Sequence, residues 1–190
     1  MTENNEKIYI LLMRSRTFIS KIIGKVTKGT YTHSSLSFDK ECTEMYSFAR
    51  IYRRFAFPGG FIRENIDKGV IRKCRKEPCL LFELNINRDT YEKVRSEVAS
   101  FKNAKKRPAY DYLGALRVFR GKPHENSRRY FCSRFVAQVL GLAGAISLKK
   151  PASLYMPDDF LEQTELKPVY QGDFQGLRSF VNRETSPVAR

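Results

Sequence analysis

The sequence has no tryptophan and only two histidines, His33 and His124, among its 190 residues. Acidic residues are also scarce, with 20 Asp and Glu against 35 Lys and Arg. No apolar run approaches the roughly 18 residues that a transmembrane helix needs, and neither a glycine-rich phosphate loop nor an internal repeat occurs. These absences argue against a membrane-spanning helix and a P-loop domain, and they leave few candidates for a catalytic base.

Cysteine is limited to four residues, Cys42, Cys74, Cys79 and Cys132. Their uneven spacing matches neither a compact disulfide framework nor two pairs of zinc ligands, so we expect free thiols and no metal or other cofactor. The apolar run Ile8–Met13 is too short for a signal peptide. We therefore expect a cytoplasmic protein, which its basic residues could bring to the periphery of a membrane.

The length of the chain predicts a single domain, over residues 1–183, with a frayed tail over residues 184–190. The periodicity of apolar residues indicates an α+β fold with a helix that begins near Cys132. The strands are predicted over residues 7–14, 32–38, 43–49, 78–85 and 166–170, with a short one inside the irregular stretch 51–76. The other helices are predicted over residues 17–28, 89–101, 111–119 and 156–160.

The net charge of +15 comes from two stretches of the chain. Residues 50–76 hold nine basic residues against Glu64 and Asp67, and residues 102–134 hold ten against Asp111 and Glu125. If the two stretches meet in the fold, they form a positive face suited to an anionic membrane or another acidic partner. The alternative is a solvated basic surface without a dedicated partner.

The segment YFCSRFVAQVLGLAG, residues 130–144, predicts an amphipathic helix with Cys132 in its first turn. The positive end of a helix dipole favours a thiolate there, and Arg128, Arg129 and Arg134 add positive charge nearby. Cys132 is therefore a candidate nucleophile. The alternative is a buried structural thiol, because free cysteine is among the most buried residue types.

A cysteine nucleophile needs a base, and the base needs a third group that orients it. His33 begins the first strand of a predicted hairpin, whereas His124 lies in a polar loop and is most simply a surface residue. If the turn is centred near Lys40, Ser47 lies opposite His33 on the same face of the sheet. Ser47 is then the third residue, with Glu44 in reserve.

The segment YTHSSLSFDKECTEMYSFAR, followed much later by YFCSRFVAQVLGLAG, resembles the circularly permuted papain-like cysteine hydrolases. These form the YiiX-like branch of the NlpC-type peptidase superfamily, in which the histidine strand precedes the cysteine helix. The resemblance implies a permuted papain-like fold, in which an antiparallel sheet packs against the helix that carries the nucleophile Cys132, with His33 as base. Ser47 falls where many relatives place a glutamate, and a hydroxyl cannot stabilise an imidazolium as a carboxylate does.

The resemblance implies an amidase, peptidase, esterase or acyl transferase that works through a thioester on Cys132. The backbone N–H of Cys132 is the expected first oxyanion donor, and Tyr31, just before the histidine strand, is a candidate for the second. Cell-wall peptides and lipid or acyl groups are the candidate substrates, the latter by similarity to permuted members of the lecithin–retinol acyltransferase type. A non-catalytic module that docks its basic face on an acidic surface is the alternative. No nucleic-acid-binding motif occurs.

Overall fold

The computed structural model describes residues 5–15, 29–51, 58–68, 71, 74–118, 121, 123 and 128–184. The fold is mixed α+β, with several helices around one curled sheet in which the strand pairs are antiparallel except for β6 and β7. The strands are β1 (Asn5–Met13), β2 (His33–Ser37), β3 (Met45–Arg50), β4 (Gly59–Glu64), β5 (Pro78–Asn87), β6 (Ala109–Tyr110), β7 (Arg129–Tyr130) and β8 (Lys167–Asp173). The α-helices are α1 (Arg88–Lys102), α2 (Tyr112–Arg117), α3 (Cys132–Leu142) and α4 (Phe174–Glu184), with 3₁₀ turns at Ala152–Leu154 and Pro157–Glu162.

The strand order is β7-β6-β4-β3-β2-β1-β5-β8, so the N-terminal strand β1 lies inside the sheet between β2 and β5. Side chains alternate between the two faces of a strand, and both faces of β1 are buried. Ile8, Ile10 and Leu12 belong to the core under α1 and α3, whereas Tyr9 and Leu11 belong to a second core with α4. The continuous apolar run of β1 is explained by this burial on both sides.

Helix α3 anchors the first core through its apolar stripe. Phe135, Val136 and Val139 are fully buried in it. The helix ends near Gly144, whose positive φ of 71° is the left-handed conformation that glycine adopts readily. Gly141 lies inside the helix instead, where a Cβ would come within 2.6 Å of the Leu148 side chain. Packing along the whole of α3 therefore holds its first residue, Cys132, in place.

Several expected elements are confirmed, with small shifts at their ends. Helix α1 begins after Asn87, whose side chain accepts a hydrogen bond from the Thr90 N–H at 2.8 Å, as a helix N-cap does. The turn at Pro157–Glu162 is 3₁₀ rather than α-helical, and Asp159 accepts a hydrogen bond from the Met156 N–H at 2.5 Å. The expected helix over residues 17–28, His124 and residues 185–190 lie outside the described residues.

The hairpin of β2 and β3 is confirmed, but its expected register is wrong. Leu36 pairs with Tyr46, so Ser47 lies two residues away from the position opposite His33. The connection is displaced because the Asp39 carboxylate accepts hydrogen bonds from the Thr43 and Glu44 N–H groups, both at 2.7 Å. A shift of two residues conserves the face of each side chain. His33 and Ser47 therefore still share one face of the sheet.

Candidate active site

The site lies where β2 and β3 separate. These strands pair at Leu36–Tyr46 and at the residues nearer the turn, and the residues of β2 before Leu36 lie outside that pairing. The backbone of Ser34 is bonded to side chains instead. Its carbonyl accepts from the Ser47 hydroxyl at 2.9 Å, and its N–H donates to the Cys132 sulfur. The thiol at the start of α3 is thus held against the first residues of β2.

Cys132 is the first residue of α3 and is only 5% exposed. The preceding residue, Phe131, makes no side-chain cap, so the first N–H groups of the helix have no intrahelical partner. One of them, the N–H of Ser133, donates to the Cys132 sulfur. The Ser133 hydroxyl donates to the Tyr155 carbonyl at 2.6 Å and fixes this end of the helix to the following 3₁₀ turns.

His33 forms a hydrogen bond with the Cys132 thiol. Its Nε2 atom faces the carboxylate of Glu64, with Nε2–oxygen distances of 3.1 and 3.2 Å. Nδ1 is therefore the ring nitrogen left for the sulfur. Both His33 and Glu64 are buried, at 8% and 9% exposure, which strengthens the electrostatic interactions among the three groups because little water screens them.

Glu64 is the residue that sequence reasoning missed. It is the last residue of β4, where it pairs with Met45 of β3 and faces the same side of the sheet as His33. The Ser35 hydroxyl donates to its Oε2 atom at 2.5 Å and lies 3.3 Å from His33 Nε2. The available signal was compositional: Glu64 is one of two acidic residues in the basic stretch 50–76.

The two residues expected in the third position lie at different distances from the histidine. The Ser47 hydroxyl is 3.4 Å from His33 Nε2, so it touches the ring but is farther away than the carboxylate. Glu44 instead accepts from the Tyr46 hydroxyl at 2.9 Å and lies 4.0 Å from Arg95. The geometry gives Glu64 the position that we expected for Ser47, and it assigns no such contact to Glu44.

The protonation of the pair follows from these contacts. Burial alone raises the pKa of the Cys132 thiol, but the hydrogen bond and positive charge of His33, with the N–H groups of Ser34 and Ser133, lower the pKa below its ordinary value. Burial lowers the pKa of His33, yet the negative charge of Glu64 and the bond to Cys132 raise it well above the ordinary value. Both directions favour a thiolate beside an imidazolium.

Tyr110 is the second residue that sequence reasoning did not connect with the site. It lies on β6 and is buried, and its pKa is raised well above the ordinary value by burial and then by the negative charge of Cys132. The phenol therefore stays protonated, as an O–H donor near the sulfur. A Cβ at Gly59 would come within 2.8 Å of the Tyr110 Cβ and 2.5 Å of the Tyr112 hydroxyl, so glycine is needed at position 59 for β6 to approach.

Tyr31, the expected second oxyanion donor, is differently engaged. Its backbone N–H donates to Asp158 Oδ1 at 2.8 Å, next to a bond of 2.7 Å from the Thr30 N–H to Oδ2. Its phenol belongs to the core, where burial and the nearby Cys79 and Asp158 raise its pKa. Among the described contacts, Tyr31 supports the loop before β2, and Tyr110 is the tyrosine whose pKa the charge of Cys132 raises.

Cys42 and Cys79 differ from Cys132. Burial raises the pKa of Cys79 to about 12 and raises that of Cys42 still further. Both lie in the core on the α4 side of the sheet. They are therefore protonated structural thiols at neutral pH, and they provide an internal reference for the thiol of Cys132.

Comparison with known proteins adds no family assignment: no protein-family model matches the chain, and no curated protein sequence matches it. Within the described residues, no helix is both long and apolar enough to cross a bilayer. The functional conclusion therefore depends on the geometry around Cys132.

Proposed function

We propose that this protein is a cysteine hydrolase or acyl transferase that cleaves an amide or ester bond through a thioester on Cys132. The observation that carries the proposal is the buried chain of contacts from the Cys132 thiol to His33 and from His33 to the Glu64 carboxylate. Nucleophile, base and orienting group in this order are the minimum for thiol-based acyl transfer. A merely structural thiol would require neither the histidine nor the carboxylate.

In the first half of the reaction, the Cys132 thiolate attacks the substrate carbonyl carbon, and the π electrons of the carbonyl move onto its oxygen. The backbone N–H of Cys132 and the Tyr110 hydroxyl are the donors for this oxyanion. When the oxyanion collapses, the bond from carbon to the leaving nitrogen or oxygen breaks. The leaving group takes the proton from the His33 imidazolium, and an acyl thioester remains on the sulfur.

In the second half, the neutral His33 takes a proton from water or from another acceptor as this attacks the thioester carbonyl. The carbon–sulfur bond breaks, the acid or the transferred acyl product leaves, and the thiolate–imidazolium pair returns. The Glu64 carboxylate orients His33 and stabilises the imidazolium, which is the role of the carboxylate in a catalytic triad. Water as acceptor gives a hydrolase, and an alcohol or amine gives a transferase.

We also infer that the fold is a permuted version of the papain-like arrangement. Two features support this: the histidine strand precedes the cysteine helix in the chain, and the sheet packs against the helix that carries the cysteine at its first residue. The idea of an inactive binding module depended on a missing carboxylate at Ser47. Glu64 at 3.1 Å from His33 removes that reason.

Intact-mass measurement after mixing with a p-nitrophenyl ester tests the proposal. We expect one acyl group on the wild-type protein, released by hydroxylamine, and none on Cys132→Ala. Cys42→Ser is the matched control, since its thiol is buried and protonated, and it should acylate like wild type. Equal acylation of wild type and Cys132→Ala, or none with any of several acyl esters, would refute a nucleophilic Cys132.

A further inference from the structure

The two basic stretches of the sequence meet at one edge of the sheet. Ala109 of β6 pairs both with Gly60 of β4 and with Arg129 of β7, and the Ala109 N–H donates to the Arg128 carbonyl at 2.9 Å. Ala109 thereby lies beside one residue about 50 positions earlier in the chain and another about 20 positions later. We call the resulting set of exposed or half-buried cations the basic edge: Arg50, Lys105, Lys106, Arg107, Arg128 and Arg129.

Two exposed aliphatic side chains border the basic edge. Ile51 is 48% exposed and Leu113 is 60% exposed, which makes them two of the most exposed large apolar residues in the described part of the chain. The Ile51 Cδ1 atom lies beside Gly60, where a Cβ would meet it at 3.6 Å and the Pro108 carbonyl at 3.1 Å. Leu113 follows Tyr112, whose hydroxyl touches Gly59. Ile51 and Leu113 therefore lie in chain segments that adjoin the basic edge.

The described acidic residues of the same stretches are engaged by other groups. Asp111 is 4% exposed and accepts from the Gly114 N–H at 2.8 Å as the N-cap of α2. Glu64 is buried against His33, and Asp67 forms an ion pair with Arg178 of α4. Glu64, Asp67 and Asp111 thus have their partners outside the basic edge.

We propose that the basic edge docks this protein on an anionic lipid bilayer, with Ile51 and Leu113 entering the interfacial region. Lysine and arginine near an anionic leaflet each gain electrostatic free energy, and exposed aliphatic groups add hydrophobic burial. A nucleic acid fits less well, because single-stranded binding uses exposed aromatic platforms. Of the described residues here, Tyr110 is buried and Tyr112 is half-buried.

Docking in this way would hold the candidate active site beside the membrane. Tyr110, the phenol next to Cys132, lies on β6 between the strands that carry the basic edge. If the proposed function holds, the bonds within reach of Cys132 are those of acyl groups at the lipid surface. The docking itself is independent of the chemistry at Cys132, so the two proposals can fail separately.

Co-sedimentation with vesicles tests the docking. We compare vesicles of phosphatidylcholine alone with vesicles of equal parts phosphatidylcholine and phosphatidylserine, at low and high salt. We expect binding to the anionic vesicles that weakens with salt, because screening shortens the reach of surface charges. Equal binding to both compositions, or binding to a mixed-sequence RNA without binding to vesicles, would overturn the proposal.

Reversing the charge of three residues of the basic edge tests whether this surface is the one that binds the vesicles. The triple variant Lys105→Glu, Lys106→Glu, Arg107→Glu should bind the anionic vesicles about a hundredfold more weakly, from roughly fivefold for each cation lost. The matched control is the triple variant Lys76→Glu, Lys93→Glu, Lys167→Glu, which makes the same change in net charge away from the basic edge and uses exposed residues too. Equal loss in both variants would mean that net charge alone, and no particular surface, governs binding.

The apolar contribution has its own pair of variants. Leu113→Ser should weaken binding to anionic vesicles at high salt, whereas Leu161→Ser, a residue 48% exposed in the 3₁₀ turn Pro157–Glu162, should not. The alkylation rate of Cys132, measured on every variant, reports whether the site is intact. Lost vesicle binding with unchanged alkylation supports the docking surface. Unchanged vesicle binding in the Lys105–Arg107 variant contradicts it.

Discussion

Replacement of Glu64 by glutamine would keep the size of the side chain next to His33 and remove its negative charge. In the wild-type protein, this charge raises the pKa of His33, and the resulting imidazolium lowers the pKa of Cys132. Without the carboxylate, the pKa of His33 falls, the positive charge near the sulfur is lost at a lower pH, and the thiol holds its proton longer. We therefore expect Glu64→Gln to raise the midpoint of the pH profile for Cys132 alkylation.

The distance between His33 and Glu64 sets how far the carboxylate raises the pKa of His33. The His33 Nε2 atom lies 3.1 Å from the carboxylate oxygen, and both residues are buried. Two unit charges about 4 Å apart interact by about 4 kcal/mol at an effective dielectric constant of about 20. At 1.36 kcal/mol per pKa unit this corresponds to about 3 units, and charged partners at this range typically shift a pKa by about 1 to 3 units.

The assay is the rate of iodoacetamide alkylation of Cys132 as a function of pH, read by peptide mass. We expect the midpoint in Glu64→Gln to rise, by no more than the about 1 to 3 units that the carboxylate adds to the pKa of His33. Ser47→Ala, which removes a hydroxyl 3.4 Å from Nε2 but no charge, should shift it by far less. Glu44→Gln is the matched control and should leave it unchanged, since Glu44 contacts Tyr46 rather than His33. An unchanged midpoint in Glu64→Gln would refute the role of the carboxylate.

Three further predictions concern the surroundings of the site. Tyr110→Phe should lower kcat for ester cleavage about 10- to 100-fold with little change in KM, because an oxyanion donor acts in the transition state; equal activity would contradict that role. Gly59→Ala should lower activity and thermal stability together, since a Cβ would lie 2.8 Å from the Tyr110 Cβ, whereas an unaltered melting temperature would show that β6 adapts freely. Asp158→Ala should cost about 1 to 3 kcal/mol in chemical denaturation, because it leaves the N–H groups of Thr30 and Tyr31 without their acceptor; a loss within error would show that water replaces it.

Many of the strands and helices could be predicted because the sequence patterns that indicate them are local. The continuous apolar residues of β1 and β5, the Asn87 cap of α1 and the apolar stripe of α3 each depend on a few neighbouring residues. The same holds for the placement of Cys132 at a helix start and of His33 at a strand start. Their approach to within hydrogen-bond distance is a tertiary contact between residues about 100 positions apart, and it could be anticipated only through the resemblance.

The register of the hairpin could not be fixed from sequence, since it depends on how its turn closes. Cys42 adopts a positive φ of 56°, which a non-glycine residue seldom does, and Asp39 accepts the N–H groups of the following residues. Neither feature has a distinct signature in the sequence. The resulting shift of two residues conserved the face of Ser47 but moved it away from the position opposite His33.

The roles of Glu64 and Tyr110 could not be predicted either, because both depend on strand pairing that has no clear sequence pattern. Glu64 reaches His33 through the pairing of β4 with β3, and β4 begins with two glycines in a stretch without clear periodicity. Tyr110 reaches Cys132 through β6, a strand of two residues that is too short for any alternating pattern. Burial of a carboxylate within a strongly basic segment is the feature that identifies Glu64 once the structure is known.

The central claim is that Cys132 is a thiolate paired with the His33 imidazolium. The most direct measurement is the ultraviolet absorbance of the thiolate as a function of pH, taken as the difference between wild type and Cys132→Ser. We expect this difference to titrate with a midpoint below the value of about 8.5 for an ordinary thiol, and to move upward in His33→Ala. A midpoint at or above the ordinary value, unchanged in His33→Ala, would contradict the account.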